Sequence, residues 1–357
     1  MTLEVSVGIG LGNEAWDDAV TWVGEAERLG VHSAWTSETW GFDAATPLAY
    51  LAAKTSSIKL GAGIMQLGAR SPATVAMTAL SLASMSGDRF LLGLGASGPQ
   101  VIEGWHGVPF DRPYTRLRET VEVIRLATAG ERLAYDGDLI KLPLPGGEGR
   151  ALRPAAPPRH IPIYLATLGP RSLRLTGELA DGWLASSFFP DHADVFLPHI
   201  REGAARAGRS FESIDRRAGG VVHFGDDLDA LVQPRKPGFA FEIGAMGSPE
   251  HNFYRDAYAR QGYPDLVQRV LALWLERKRD AAAALIPDDF VIRSNFLGTD
   301  DQVRDRIRVY RDHGITNLAA APAGDTLPER LDTLERFMHL VAAVNAEPAP
   351  TAARSPR

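Results

Sequence analysis

The 357-residue chain contains no cysteine. This absence excludes disulfide scaffolds, thiol catalysis and cysteine metal sites, and it is typical of proteins that stay in a reducing compartment. The chain also lacks an excess of basic residues, because 38 lysines and arginines face 44 aspartates and glutamates. The net charge of −6 therefore predicts no nucleic-acid partner.

Long apolar runs are absent too. The opening stretch MTLEVSVGIGLGNEAWDD has no basic segment followed by a long apolar one, and no run approaches the length that spans a membrane. We therefore expect a cytoplasmic protein with no membrane partner. The nine histidines show no H-x-x-x-H or H-E-x-x-H spacing, so no metal site is expected.

Short apolar runs alternate with segments of helical periodicity along the whole chain. The first helix contains apolar residues from Trp16 to Leu29 at helical spacing, with Asn13 as its predicted N-cap. Eight runs are predicted as strands: 5–11, one ending near Trp35, 58–65, 90–94, 161–166, 183–187, 214–223 and 317–320. Each is followed by a predicted helix or by an insertion and a helix. Eight such units favour an α/β fold of the TIM (β/α)8 barrel type over an open sheet.

Two stretches interrupt this alternation. Residues 134–160 are crowded with glycine and proline and predict an irregular excursion. A second insertion, 226–263, precedes a helix that begins near Leu266. We expect one barrel domain over 1–345 with these insertions, and a disordered tail over 346–357.

A glycine motif follows the fourth predicted strand. In RFLLGLGASGPQ, Gly93, Gly95 and Gly98 have the G-x-G-x-x-G spacing of dinucleotide-binding loops. A Rossmann site needs a long helix directly after these glycines, and the Gly- and Pro-containing segment 99–113 does not form one. In a barrel, the glycines either let a planar ligand approach the strand end or form a tight turn after it.

Four segments carry a family resemblance: SAWTSETWGFDAATPLAYLAA, IKLGAGIMQLGARSPATVAMTA, GLGASGPQVIEGWHGVPFDRP and IPIYLATLGPRSLRLTGELADGW. They resemble the bacterial luciferase-like superfamily of flavin and deazaflavin oxidoreductases, and more narrowly its branch that uses coenzyme F420. The resemblance covers nearly the whole chain, including NFYRDAYARQGY in the second insertion. It implies a barrel with the cofactor ring at the carboxyl ends of the strands, and a homodimer.

The resemblance also implies an activity. We expect an oxidoreductase that transfers a hydride between C5 of the deazaflavin and a small organic substrate. One alternative is a monooxygenase of the same fold that uses reduced flavin mononucleotide (FMN). A second alternative, from a different class, is a barrel that has lost cofactor binding.

The resemblance places the cofactor tail and ring on three strand ends. The tail phosphate is expected at Thr167, Leu168, Gly169 and Arg171, where Gly-Pro begins a helix whose first amides are free; an ordinary helix start is the alternative. The ring is expected against a non-prolyl cis peptide bond near Gly63 and Ile64. The full set of expected ring contacts is Thr36, Ser37, Gly63, Ile64, Met65, Arg70, Gly95, Ala96, Ser97 and Gly98. The alternatives are a buried strand that ends in a loop with Met65 as core filling, and Arg70 as a cap of the following turn.

The expected catalytic residues are Glu38 and His106. Glu38 lies in WTSETWGFD, where many deazaflavin relatives have an Asp-His pair that this chain replaces with Glu38-Thr39. Glu38 is a candidate for general acid/base chemistry or for a hydrogen bond to the cofactor, and the alternative is a solvated loop acid. His106 and His223 are the histidines expected to face the pocket, although a structural role explains either one.

Aromatic residues in the second insertion are candidates for a wall or lid of the substrate pocket. Phe253 and Tyr254 in HNFYRDAY have this position in the sequence. Packing of the same two rings in a hydrophobic core is the alternative interpretation.

Overall fold

The computed structural model describes residues 2–10, 16–248 and 250–348. Within them, the chain forms eleven strands: β1 (Glu4–Gly8), β2 (Ser33–Thr36), β3 (Lys59–Gln66), β4 (Phe90–Gly95), β5 (Tyr135–Asp136), β6 (Lys141–Leu142), β7 (Ile163–Ala166), β8 (Gly182–Leu184), β9 (Asp215–Phe224), β10 (Phe296–Gly298) and β11 (Asn317–Pro322). Eight of these strands close into a ring in the order β1, β2, β3, β4, β7, β8, β9, β11. All neighbours are parallel, and β11 pairs with β1 to close the ring. The prediction of a (β/α)8 barrel is confirmed.

Helices surround this ring and fill the insertions. The described residues form α1 (Trp16–Arg28), α2 (Ala45–Ala52), α3 (Pro72–Ser86), α4 (Pro99–Ile102), α5 (Pro113–Thr128), α6 (Pro170–Leu179), α7 (Leu197–Arg206), α8 (Leu228–Val232), α9 (Lys236–Ala245), α10 (Phe253–Arg260), α11 (Pro264–Leu275), α12 (Arg279–Ala284), α13 (Asp288–Ser294), α14 (Asp300–Asp312) and α15 (Leu327–Asn345). Short 3₁₀ turns precede α7 and β9 and join α8 to α9.

Helix boundaries follow local sequence signals. The α3 helix begins after Ser71, whose Oγ accepts a hydrogen bond from the Thr74 amide, and it ends at Gly87, which has a left-handed φ of 65°. Thr299 and Thr326 each begin a helix with a full capping box. These signals are readable in the sequence.

The two insertions differ from each other in form. The excursion over 134–160 contains only the two-stranded β5–β6 pair within an otherwise irregular path. The second insertion is largely helical, with α8, α9 and α10, and the α12–α13–β10 segment after it was not predicted. Strand β10 pairs with the end of β9 and extends the barrel sheet locally. The predicted N-cap Asn13 and most of the predicted tail, from 349 onward, lie outside the described residues.

A cluster of large side chains fills part of the barrel interior below the carboxyl ends of the strands. Trp35 and Tyr164 pack edge to face with ring centroids 5.2 Å apart, together with Leu91 and Leu184. Gly61 makes room for Trp35, because a Cβ there would lie 2.3 Å from the indole ring. Toward the carboxyl ends of the strands the interior positions are small, which leaves space for a cavity.

Two further expectations concern membranes and metals. No helix in 2–10, 16–248 or 250–348 combines the length and apolar character needed to cross a bilayer. Across the same ranges, no three histidine, aspartate or glutamate side chains come together in a way that would hold a metal ion.

Candidate active site

A cavity of about 500 Å³ opens at the carboxyl ends of the barrel strands. This is the face on which barrel enzymes place their chemistry. The cavity is lined by Gly8, Ile9, Trp35, Thr36, Ser37, Gly63, Ile64, Gly95, Ala96, Ser97, Pro113, Tyr114, Leu117, Ala166, Thr167, Leu168, Gly169, Ser172, Leu184, Ala185, Ser186, Arg217, Phe253 and Tyr254.

The cavity brings together most of the predicted ring and tail contacts. Ten of them line it: Thr36, Ser37, Gly63, Ile64, Gly95, Ala96, Ser97, Thr167, Leu168 and Gly169. Six predicted site residues do not: Glu38, Met65, Arg70, Gly98, His106 and Arg171. Both predicted catalytic residues are therefore outside the cavity lining.

The end of β3 has an irregular backbone. The Gly63–Ile64 peptide bond is cis, at the position that the resemblance implies. The register between β3 and β4 shifts between Ala62 and Met65, so the chain bulges there. Ile64 lines the cavity, whereas Met65 is fully buried in the hydrophobic core. Met65 thus packs behind the bulge rather than in the cavity.

The glycines of the fourth strand also pack closely against the end of β3. A Cβ at Gly93 would lie 2.0 Å from the Ala62 carbonyl oxygen, and a Cβ at Gly95 would lie 2.5 Å from Ile64 Cδ1. Gly93 must therefore be glycine, because a backbone oxygen blocks a side chain there, whereas the obstacle at Gly95 is the movable end of the Ile64 side chain. Gly98 precedes the short helix α4 and lies outside the cavity lining.

The start of α6 has the predicted form. Gly169 is the extended N-cap residue and Pro170 is the first helical residue, so the first amides of the helix have no partner within it. Gly169 and Ser172 line the cavity beside these amides. Arg171 stacks its guanidinium 3.8 Å from the centroid of the Tyr114 ring, which places it at the cavity rim instead of inside.

Sequence reasoning missed a second arginine at this rim. Arg260, at the end of α10, donates a hydrogen bond of 2.7 Å from Nη2 to the Leu168 carbonyl oxygen. It is 92 residues away from Leu168 in the chain. The segment NFYRDAYARQGY was noticed for its aromatic residues, and nothing local in it indicates that Arg260 reaches α6.

Glu38 is held in a bidentate ion pair. Arg70 donates from Nη1 to Oε1 at 2.5 Å and from Nη2 to Oε2 at 2.9 Å. The Ala44 amide also donates to Oε2, at 2.9 Å. Glu38 is only 8% exposed, so its carboxylate is fully used inside the loop before α2. This arrangement indicates a positioning role for Glu38 and Arg70 and leaves no carboxylate oxygen facing the cavity.

His106 is connected to the same loop through Gln66. Gln66 Nε2 donates to the carbonyl oxygens of Glu38 and Thr39, at 2.7 and 3.2 Å. Its Oε1 therefore accepts from His106 Nε2, 2.9 Å away. His106 thus supports the wall of the cavity from behind.

His223, the other candidate histidine, is also outside the lining. Its Nδ1 lies 2.9 Å from Arg235 Nη2. Burial, and then the neighbouring Arg235 charge, lower the pKa of His223 below its ordinary value. A neutral imidazole that accepts a hydrogen bond from Arg235 is the consistent description.

The α10 helix forms one wall of the cavity, because Phe253 and Tyr254 line it. The helix is firmly anchored at both ends. The Asn252 side chain caps its first turn and donates to the carbonyl oxygens of Glu242 and Ile243, each at 3.0 Å. At the other end, Gln261 accepts from the Phe189 amide and donates to the Ser187 carbonyl oxygen. Burial, and then the Glu242 charge, raise the pKa of Tyr254 above its ordinary value, so its hydroxyl stays protonated at neutral pH.

Comparison with known proteins agrees with this architecture. The family model for luciferase-like monooxygenases matches residues 1–317. A Mycobacterium tuberculosis protein assigned to the coenzyme F420-dependent oxidoreductases is 40% identical over 303 residues, which cover 82% of this chain and 87% of that protein. The 5,10-methylenetetrahydromethanopterin reductase of Methanolobus tindarius is 30% identical over 304 residues, or 84% and 88% of the two chains.

Solved structures show the same fold. The coenzyme F420-dependent tetrahydromethanopterin reductase of Methanopyrus kandleri superposes with a TM-score of 0.75 at 24% identity, covering 94% of this chain and 98% of that one. The chain belongs to the luciferase-like monooxygenase family. The prediction of an oxidoreductase whose relatives depend on coenzyme F420 is confirmed.

Proposed function

We propose that this protein is a coenzyme F420-dependent oxidoreductase that transfers a hydride between C5 of the deazaflavin and a small organic substrate. One observation carries the proposal: the bulged β3 edge and the free amino terminus of α6 line the same cavity. When bound, the deazaflavin supplies two-electron hydride chemistry. The residues of the chain bind and orient the cofactor and the substrate and supply protons.

The cavity fits such a group. Gly8, Gly95 and Ala166 each end a barrel strand and line the cavity, and a Cβ added at Gly8 would meet no atom of a described residue within 4 Å. A flat ring therefore has room beside the Gly63–Ile64 edge. The amides at the start of α6, with Arg171 and Arg260 at the rim, suit the phosphate of the cofactor tail. Thr167, Leu168 and Gly169 are the proposed contacts to this phosphate.

Proton transfer requires a group that reaches the cavity. Glu38 and His106 do not line it, so we assign them to positioning of the loop behind Ser37. The described lining contains the hydroxyls of Ser37, Ser186 and Tyr254, which are able to donate a proton or a hydrogen bond to a substrate heteroatom.

Cofactor binding tests the proposal directly. We expect the purified protein to quench the fluorescence of coenzyme F420 on titration, with an affinity at least about tenfold higher than that for FMN. Binding of FMN alone would instead favour the flavin-dependent monooxygenase. Binding of neither cofactor would favour a barrel without redox function.

The phosphate contact gives a sharper test. Arg171→Ala should raise the dissociation constant for F420 about three- to tenfold, because one charge-assisted contact to the phosphate is lost. Arg206→Ala is the matched control, since this exposed arginine ends α7 at the opposite face of the barrel. Equal affinities in the two variants would contradict the placement of the tail at α6.

We also propose that the protein forms a homodimer through α2 and α3. The two helices pack together, and three large side chains on them are exposed to solvent: Tyr50 to 41%, Met77 to 67% and Met85 to 57% of each residue's full accessible surface. Exposed large apolar side chains on neighbouring helices are typical of protein interfaces. Light scattering after gel filtration should give twice the mass of one chain, which is 38.6 kDa. The Met77→Lys variant should shift the measured mass toward that of the monomer. A wild-type protein of single-chain mass at micromolar concentration would refute the dimer.

A further inference from the structure

One charged side chain lines the cavity. Among the described lining residues, Arg217 alone carries a charge, and the other polar groups are hydroxyls and an indole. Arg217 lies on β9, and its Nε donates a hydrogen bond of 2.6 Å to Ser6 Oγ. Its guanidinium carbon lies 5.0 Å from the centroid of the Trp35 ring. The cation is thus held at the floor of the cavity by strands β1 and β2.

No carboxylate of the described residues lies within 4.0 Å of the Arg217 guanidinium. Asp215 is the nearest acid on the same strand, and its oxygens accept hydrogen bonds from Tyr164, Thr316 and Asn317. The terminal nitrogens of Arg217 make no hydrogen bond to any described residue. Burial lowers the pKa of Arg217 to about 10, and it remains charged at neutral pH. The charge interactions of Arg217 with Asp215 and Tyr164 oppose this shift, so the guanidinium has an acid nearby but no direct ion pair, and its terminal N–H groups are available to a ligand.

The barrel leaves this guanidinium open toward the cavity. Arg217 keeps accessible surface although Arg216 and Ala218 on either side of it are buried. Gly219 follows two residues later on the same face of β9 and pairs with Ala319 of β11. A Cβ at Gly219 would lie 2.3 Å from the Ala319 carbonyl oxygen, so β9 itself places no side chain beside Arg217 at this position.

The position of Arg217 separates it from the proposed ring contacts. In the ring of eight strands, β9 stands four places from β3 and therefore opposite to it. The Gly63–Ile64 edge lies on β3, with Gly95 and Ala166 on the next two strands of the ring. A deazaflavin on that side leaves Arg217 on the opposite strand of the cavity lining.

We propose that Arg217 binds a carboxylate of the substrate, so that the enzyme acts on small organic acids. The inference rests on the proposed function, because it assumes that the ring takes the β3 side of the cavity. Two terminal N–H groups of one guanidinium match the two oxygens of a carboxylate in a planar, bidentate contact. Arg217 is in this account a substrate-binding residue that sets specificity.

Binding of model acids and their uncharged analogues tests the inference. Benzoate with benzamide and propanoate with propanamide are titrated by calorimetry into the wild-type protein, with and without saturating F420. We expect each acid to bind at least about tenfold more tightly than its amide. Arg217→Met should abolish this preference and leave amide binding unchanged, whereas Arg217→Lys should retain part of it. Equal binding of acid and amide in both pairs, or no binding of either, would overturn the proposal.

Further outcomes show whether Arg217 binds the substrate carboxylate or the cofactor. If Arg217→Met weakens F420 binding and leaves the acid preference intact, the guanidinium serves the cofactor ring and the proposal is wrong. If F420 fails to bind but the apoprotein still prefers acids, the carboxylate site stands and the proposed function fails. Circular dichroism checks the fold of each variant. Where a variant does not fold, the comparison of acid and amide binding to the wild-type protein tests the proposal.

Discussion

Replacing Gly203 by valine is expected to destabilise the protein by about 3 kcal/mol or more, or to prevent folding. Gly203 on α7 and Gly177 on α6 lie where the two helices cross at backbone contact. A Cβ at Gly203 would lie 1.9 Å from the Arg174 carbonyl oxygen, and one at Gly177 would lie 2.0 Å from that of Ile200. Because both obstacles are backbone atoms, the helices must separate to admit any side chain.

Urea unfolding of the variants measures this effect. Gly24→Ala is the control, because Gly24 lies within α1 and an added Cβ meets no atom within 4 Å. Its expected effect is a gain of about 0.5–1 kcal/mol from helix propensity. Because α6 begins at the cavity, Gly203→Ala should also weaken F420 binding in whatever fraction folds. Gly203→Ala is also expected to lower the unfolding midpoint, because its Cβ alone meets the Arg174 carbonyl oxygen, and a midpoint equal to that of Gly24→Ala would contradict the helix contact.

Replacing Gly8 by phenylalanine is expected to abolish cofactor binding without unfolding the protein. Gly8 ends β1, lines the cavity and has open space where its Cβ would be. A phenyl ring there enters the space that the proposed deazaflavin needs. We expect the dissociation constant for F420 to rise at least about 100-fold, because the ring must be displaced or excluded.

The Gly8 backbone contact is unaffected by this change, since Trp22 Nε1 donates to its carbonyl oxygen at 3.0 Å. The thermal midpoint should therefore stay within a few degrees of wild type. Gly8→Ala is the matched control and should bind F420 within about threefold of wild type. A Gly8→Phe variant that binds F420 normally would show that the ring lies elsewhere.

The polar residues of the site were the hardest to predict. Arg216 and Arg217 are adjacent, and the sequence does not distinguish them. Arg216 points outward, and its guanidinium donates to the carbonyl oxygens of Gly314, Phe211 and Ile214. Arg217 points inward to the cavity. Successive side chains of a strand point to opposite faces of the sheet, and the closure of the barrel determines which face is the interior.

Glu38 and His106 also show that the partners of a polar side chain cannot be predicted from the local sequence. Both were predicted from polar residue types in loops at the correct end of the barrel, and the prediction of the loops agrees with the structure. Their side chains are used by partners 32 and 40 residues away, Arg70 and Gln66. Such partners are invisible to local pattern, so a catalytic candidate and a positioning residue look alike in sequence.

The order and type of the barrel elements were determined by the sequence alone, because periodicity, caps and turn residues act within a few positions of one another. The resemblance added the Gly63–Ile64 bond and the Gly169–Pro170 helix start, since both are properties of short segments. Tertiary structure decided which side chains reach the cavity, why Gly93 is glycine, and that Arg260 joins the rim. These outcomes depend on contacts between strands and helices that only the closed barrel brings together.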